Sequence, residues 1–124
     1  MRAGRLGWLG ITLIGLLAGA GGVLAHSFPR EETPAAGATV SSAPREVVIK
    51  FDAPIEKVFA QLEVLDSSGN NDAVGQPIHG PDGSTLSAKL APLKPGTYTV
   101  KWAVVGADTH RTQGSYTFTV ANGD

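Results

Sequence analysis

Polar and apolar residues alternate along this chain, and no apolar stripe recurs at helical spacing after residue 25. Residues 46–51 put Val47, Ile49 and Phe51 on one face and Glu46, Val48 and Lys50 on the other, the period of two expected of a half-buried strand. Ala53-Pro54 stops that run, because proline lacks the ladder donor. Residues 58–66 alternate again, with Val58, Ala60, Leu62 and Val64 opposed to Phe59, Gln61, Glu63 and Leu65, and end in Asp66-Ser67-Ser68-Gly69-Asn70-Asn71, a turn composition. A weaker strand is predicted over residues 73–78, a turn at Gly80-Pro81-Asp82-Gly83, and a short strand over 84–90. The clearest strand covers 97–104: Tyr98, Val100, Trp102 and Val104 face one way, Thr97, Thr99, Lys101 and Ala103 the other. A loop over 106–112 and a strand over 113–120, with Tyr116, Phe118 and Val120 on one face, follow. Residues 121–124 are expected to be a frayed tail.

Two further segments complete the pattern. Residues 27–44 carry Pro29, Pro34 and Gly37 and are expected to lie over the domain as an edge strand and loop. Tyr98 follows Pro95-Gly96 at the start of a late strand, which suits a tyrosine corner, its hydroxyl tied back to upstream backbone. About seven short strands separated by turns predict an all-β, Greek-key sandwich or small barrel, Ig-like in outline.

The first 25 residues differ in kind. Arg2 and Arg5 precede an apolar run from Leu6 to Leu17, a small-residue stretch from Ala18 to Gly22, and Val23-Leu24-Ala25, the arrangement of a secretory signal peptide with an A-x-A-like site. Residues 1–25 are therefore expected to be removed, leaving 26–124 as one domain that begins at His26. Of ten Lys+Arg, Arg2 and Arg5 fall in the leader, so eight remain against eleven Asp+Glu, a net charge of −3. That balance gives no support to nucleic-acid binding through phosphate neutralisation, which needs a basic patch. Cysteine is absent and the single methionine is Met1, so no disulfide, thiolate site or cysteine nucleophile is available and no sulfur ligand remains after cleavage.

Three histidines carry what chemistry there is: His26, His79 and His110. His79, in the loop after Pro77-Ile78, is expected to be solvated. Asp108-Thr109-His110 sets a carboxylate two residues from an imidazole, and in an extended segment both project to one side. A histidine at a free N-terminus adds its α-amine and, through a six-membered chelate ring, its Nδ1. Three nitrogens and one oxygen then come from His26, Asp108 and His110, a tetragonal donor set that suits Cu(II), whereas Zn(II) prefers a tetrahedron.

The sequence resembles the CopC copper-resistance proteins of the bacterial envelope over essentially the whole segment after residue 25. The resemblance rests on His26, the stretch Thr33-Pro34-Ala35-Ala36-Gly37-Ala38-Thr39-Val40, the strand Val47-Val48-Ile49-Lys50-Phe51 followed by Ala53-Pro54-Ile55-Glu56, the turn Leu93-Lys94-Pro95-Gly96-Thr97-Tyr98, Trp102, and Ala107-Asp108-Thr109-His110 leading to Gly114-Ser115-Tyr116-Thr117-Phe118. It implies a cupredoxin-like β-sandwich that binds Cu(II) through the amine and side chain of His26, Asp108 and His110. It further implies a periplasmic, soluble, monomeric carrier or store, often beside a CopD-type inner-membrane transporter, and not an enzyme. Some members add a methionine-rich Cu(I) site; with no methionine after Met1, a Cu(II) site alone is expected here. Many members read Phe-Ser-Glu-Pro where this chain reads Phe51-Asp52-Ala53-Pro54, and that glutamate supports a ligand histidine. Asp52 and Glu56 are the candidates to substitute for it.

Two other classes compete with a carrier. A copper oxygenase with a histidine brace also begins with a ligating histidine, but it keeps coordination positions open, which Asp108 would fill. It also needs exposed aromatics, whereas Tyr98, Trp102, Tyr116 and Phe118 occupy strand positions expected to be buried. An Ig-like interaction module without metal predicts that replacing His26 or His110 changes surface charge alone.

Overall fold

The computed structural model describes residues 27–122; the expected leader, residues 1–25, and His26 lie outside them. Eight strands follow in order: β1 (Pro29–Thr33), β2 (Thr39–Val40), β3 (Glu46–Phe51), β4 (Gln61–Leu65), β5 (Ala73–His79), β6 (Thr85–Leu90), β7 (Gly96–Val105) and β8 (Arg111–Val120). They form two four-stranded sheets with strand orders β1-β3-β6-β5 and β2-β8-β7-β4. The chain changes sheet at every connection from β1 to β5 and again between β6 and β7, staying within one sheet for the β5–β6 and β7–β8 hairpins, the crossings of a Greek-key β-sandwich.

The alternation read from the sequence is what fills the space between the sheets. Val47, Ile49 and Phe51 from one sheet meet Leu62, Val64, Tyr98, Val100, Trp102, Val104, Tyr116, Phe118 and Val120 from the other, all buried. Phe51 and Trp102 meet edge to face across the layer, centroids 5.3 Å apart, a preferred aromatic geometry. Gly114 stands opposite Trp102 in the β7–β8 register, and a Cβ there would come within 2.8 Å of the indole, so glycine makes the room for that ring. The Tyr98 hydroxyl donates to the Lys94 carbonyl at 2.6 Å, the tyrosine corner that the Pro-Gly turn predicts.

Several expectations need correction. The described residues form eight strands where about seven were expected, the additional one being residues 39–40, which pair in parallel with Thr119 and Val120. The alternating run 58–66 is a strand only from Gln61: Phe59 has φ +63° and is 74% exposed, so the pattern there sits on a bend that leads into the sheet. The last loop closes at residue 110 instead of 112, since pairing of β7 with β8 continues to Val105 and Arg111. Ala121 is not frayed, because its amide donates to the Val40 carbonyl; of the expected tail, residues 123–124 lie outside the described residues. The weak strand near residue 73 is a sheet edge, with an irregular register between Val74 and Ile78.

Candidate metal centre

The tight connection between β7 and β8 is built by residues 106–110. The Gly106 amide donates to the His110 carbonyl at 2.9 Å and the Thr109 amide to the Gly106 carbonyl at 2.8 Å. Thr109 takes φ +72°, a left-handed conformation costly for a β-branched residue. Asp108 and His110 are therefore brought together by a turn and not by an extended segment. Asp108 Oδ1 accepts the His110 amide at 3.0 Å, the short-range bond that makes aspartate a turn former. Its Oδ2 lies 3.0 Å from His110 Nδ1. The carboxylate side chain is 17% exposed and the imidazole 66%, so one partner is fixed in the fold while the other faces solvent.

The described chain begins beside this turn. Ser27 is fully buried; its hydroxyl donates to the Pro54 carbonyl at 3.0 Å, with the Ala53 carbonyl at 3.4 Å, and its own carbonyl accepts the Thr112 hydroxyl at 2.7 Å. A Cβ built on Gly106 would stand 2.9 Å from Asp108 Oδ1, 2.9 Å from Ser27 Oγ and 3.6 Å from Ser27 N. One point thus touches the carboxylate of the turn and the residue that follows His26.

Neighbouring segments tie this corner down. The Glu56 amide donates to the Val105 carbonyl and the Ala107 amide to the Pro54 carbonyl, while Ile55 bridges Gly106. His79 is not simply solvated, since its Nε2 lies 3.2 Å from the Glu56 carbonyl. Asp52 accepts the Phe28 amide on Oδ1 at 2.9 Å, so it anchors the start of the chain. Among the described residues, Asp108 supplies an acidic partner to the His110 ring.

Ser27, Thr112 and Gly106 went unmarked among the sequence candidates. Thr112 had a signal: it shares the parity of Tyr116, Phe118 and Val120, the inward face of β8. Ser27 and Gly106 had none, because their roles depend on a contact between residues far apart in sequence. The four strand aromatics are buried as expected, Tyr98 4%, Trp102 6%, Tyr116 8% and Phe118 1% exposed.

A model of the CopC domain matches residues 30–121. The chain belongs to the CopC family. CopC likeness extends to individual relatives: Protein YobA of Escherichia coli (strain K12) is 37% identical over 100 residues, 79% of this chain and 81% of that protein. The crystal structure of CopC from Methylosinus trichosporium OB3b superposes with a TM-score of 0.74 at 30% identity, covering 80% of this chain and 97% of that one. PcoC, a methionine-rich copper resistance protein from Escherichia coli, gives a TM-score of 0.68 at 28% identity, with coverage of 77% and 99%.

Proposed function

We propose that this CopC-family chain is a periplasmic Cu(II)-binding protein that buffers, stores or delivers copper, a carrier and not an enzyme. Its ligands are the α-amine and Nδ1 of His26, the carboxylate of Asp108 and the imidazole of His110, and residues 1–25 are the leader whose removal exposes that amine. The observation that carries this reading is the Asp108–His110 pair set against buried Ser27. That 3.0 Å separation is an ordinary hydrogen bond, which holds the carboxylate and the imidazole side by side in the turn, and the donor set of nitrogen and oxygen suits Cu(II) by its chemistry.

The absence of methionine after Met1 supports a Cu(II) site without a thioether Cu(I) site, in contrast to the methionine-rich PcoC. Burial of the strand aromatics speaks against a polysaccharide-binding surface and so against the oxygenase. The family resemblance supports a monomer that hands copper to a CopD-type membrane transporter.

The test is a Cu(II) titration of the chain that starts at His26, followed by competition and electron paramagnetic resonance. One tight equivalent with a tetragonal spectrum is expected. An extra alanine ahead of His26, or Asp108→Ala or His110→Ala, should weaken binding by at least about 100-fold, beyond what loss of an outer-shell partner does. Unchanged binding by the extended chain would refute the ligand set, and mass spectrometry of the exported protein checks the cleavage at Ala25-His26.

A further inference from the structure

Apart from the tyrosine hydroxyls and the tryptophan indole, the polar side chains buried among the described residues are Ser27 and Thr112, and the Thr112 hydroxyl donates to the Ser27 backbone carbonyl across 85 residues of sequence. Burying a hydroxyl is costly unless it is paired, and hydrophobic residues of like size would fill the same positions without that requirement. The bonds made here serve one end of the chain. Thr112 Oγ1 donates to the Ser27 carbonyl, Ser27 Oγ donates to the Pro54 carbonyl, and Phe28 exchanges two bonds with Asp52, its amide to Oδ1 and its carbonyl with the Asp52 amide. Gly106, by lacking a Cβ, leaves space for Ser27 Oγ and Asp108 Oδ1 at the same spot.

We propose that Ser27 and Thr112 form a lock that positions the N-terminal chelating group for copper, with Thr112 as a positioning residue of the site. This rests on the ligand set proposed above. Consecutive Cα atoms are about 3.8 Å apart across a trans peptide, so fixing residue 27 restricts the space open to the residue before it. A terminal histidine is otherwise among the most mobile parts of a chain, and ordering it on binding would weaken affinity. The lock meets part of that entropic cost during folding, by holding the residue next to the proposed chelating group beside Asp108. Thr112 sits two residues after His110, so the strand that follows Asp108 and His110 holds the segment that would carry the terminal amine.

The experiment uses the chain beginning at His26 and its Thr112→Val, Thr112→Ser and Ser27→Leu variants, with Asp82→Asn as a control in a turn away from the site. Thr112→Val keeps the shape of the side chain and removes the donor; Ser27→Leu is too large for the buried slot and lies at the chain end, outside the apolar core. Both should retain the sandwich by circular dichroism, bind Cu(II) about 10–100-fold more weakly and show altered paramagnetic resonance parameters. Thr112→Ser should restore affinity and spectrum together, and Asp82→Asn should change neither. Should Thr112→Val fail to fold, Ser27→Leu and Thr112→Ser still decide the matter. If the parent chain binds Cu(II) while the lock variants keep its affinity and spectrum, the lock is wrong and the ligand set stands; if the parent chain binds none, the ligand set itself fails.

Discussion

Two hairpin turns of this protein are built alike and end in different chemistry. In the β5–β6 turn, Asp82 Oδ1 accepts the Ser84 amide at 2.9 Å and the Gly83 amide donates to the Gly80 carbonyl. In the β7–β8 turn, Asp108 Oδ1 accepts the His110 amide at 3.0 Å and the Thr109 amide donates to the Gly106 carbonyl. Each places a glycine two residues before the aspartate and a left-handed residue just after it, Gly83 at φ +77° and Thr109 at φ +72°. They part at the second carboxylate oxygen. Asp82 Oδ2 accepts the Thr85 hydroxyl and so completes its own turn, whereas Asp108 Oδ2 meets an imidazole beside the start of the domain. An aspartate turn is therefore ordinary loop chemistry, and the residue two positions on, together with the chain end packed next to it, turns it into a candidate site.

The largest test of that contrast is to add one methyl group to each turn. A Cβ on Gly106 would press on Asp108 Oδ1 and Ser27 Oγ, both at 2.9 Å, whereas one on Gly80 would press on Thr85 Cβ at 3.0 Å and Asp82 Oδ1 at 3.3 Å. Gly106→Ala is expected to weaken Cu(II) binding by about 10-fold or more, because it displaces Asp108, a proposed ligand, and Ser27. Gly80→Ala should cost about 1–3 kcal/mol of stability, as overpacking does, and leave copper affinity unchanged. Competition titrations and chemical unfolding on the two variants separate the outcomes; an equal effect on copper would erase the distinction drawn between the turns.

The same contrast marks how far the sequence could be read. Period-two patterning located β3, β7 and most of β8 because each buries one face, and the core they form is the one the alternation describes. It overran at Val58 and Phe59, where apolar residues continue the alternation but stand exposed on a bend. Asp108 and His110 were legible as a pair from their spacing, though the geometry that joins them is a turn set by Thr109, not an extended strand. Ser27 could not be read at all. Its role exists only because Pro54 and Thr112 are brought to it by pairing between distant segments, and no local pattern encodes such a meeting.

A smaller effect is expected at the left-handed position. Holding a residue with a Cβ there costs about 1–2 kcal/mol, partly offset by the greater unfolded-state entropy of glycine, about 0.5–1 kcal/mol. Thr109→Gly should therefore stabilise the copper-free chain by up to about 1 kcal/mol, and Gly83→Thr should destabilise it by about the same amount or somewhat more. The strained turn should nevertheless be the better copper site, since glycine would let Asp108 and His110 move apart. Thermal unfolding without metal and Cu(II) competition check the two halves; if Thr109→Gly gains stability and affinity together, the strain has no part in holding the ligands.

The smallest effect concerns acid, and it isolates the turn that carries no ligand. The Asp82 carboxyl is held below its ordinary value of 3.8, first by the Ser84 amide and then by the Thr85 hydroxyl. A folded-state value below the unfolded one favours the ionised form in the fold, so its stabilisation is fully present above about pH 4 and is lost as the pH falls through the lowered value. Asp66, lowered chiefly by the Asn70 amide, adds a contribution of the same sign. Asp82→Asn removes one of the two groups, so the copper-free variant should lose less stability than the parent between about pH 5 and pH 2, as read from denaturant midpoints at each pH. The same slope in both chains would mean that the amide donors around Asp82 give its ionised form no advantage, and that the shared bonding of the two turns is not what stabilises either of them.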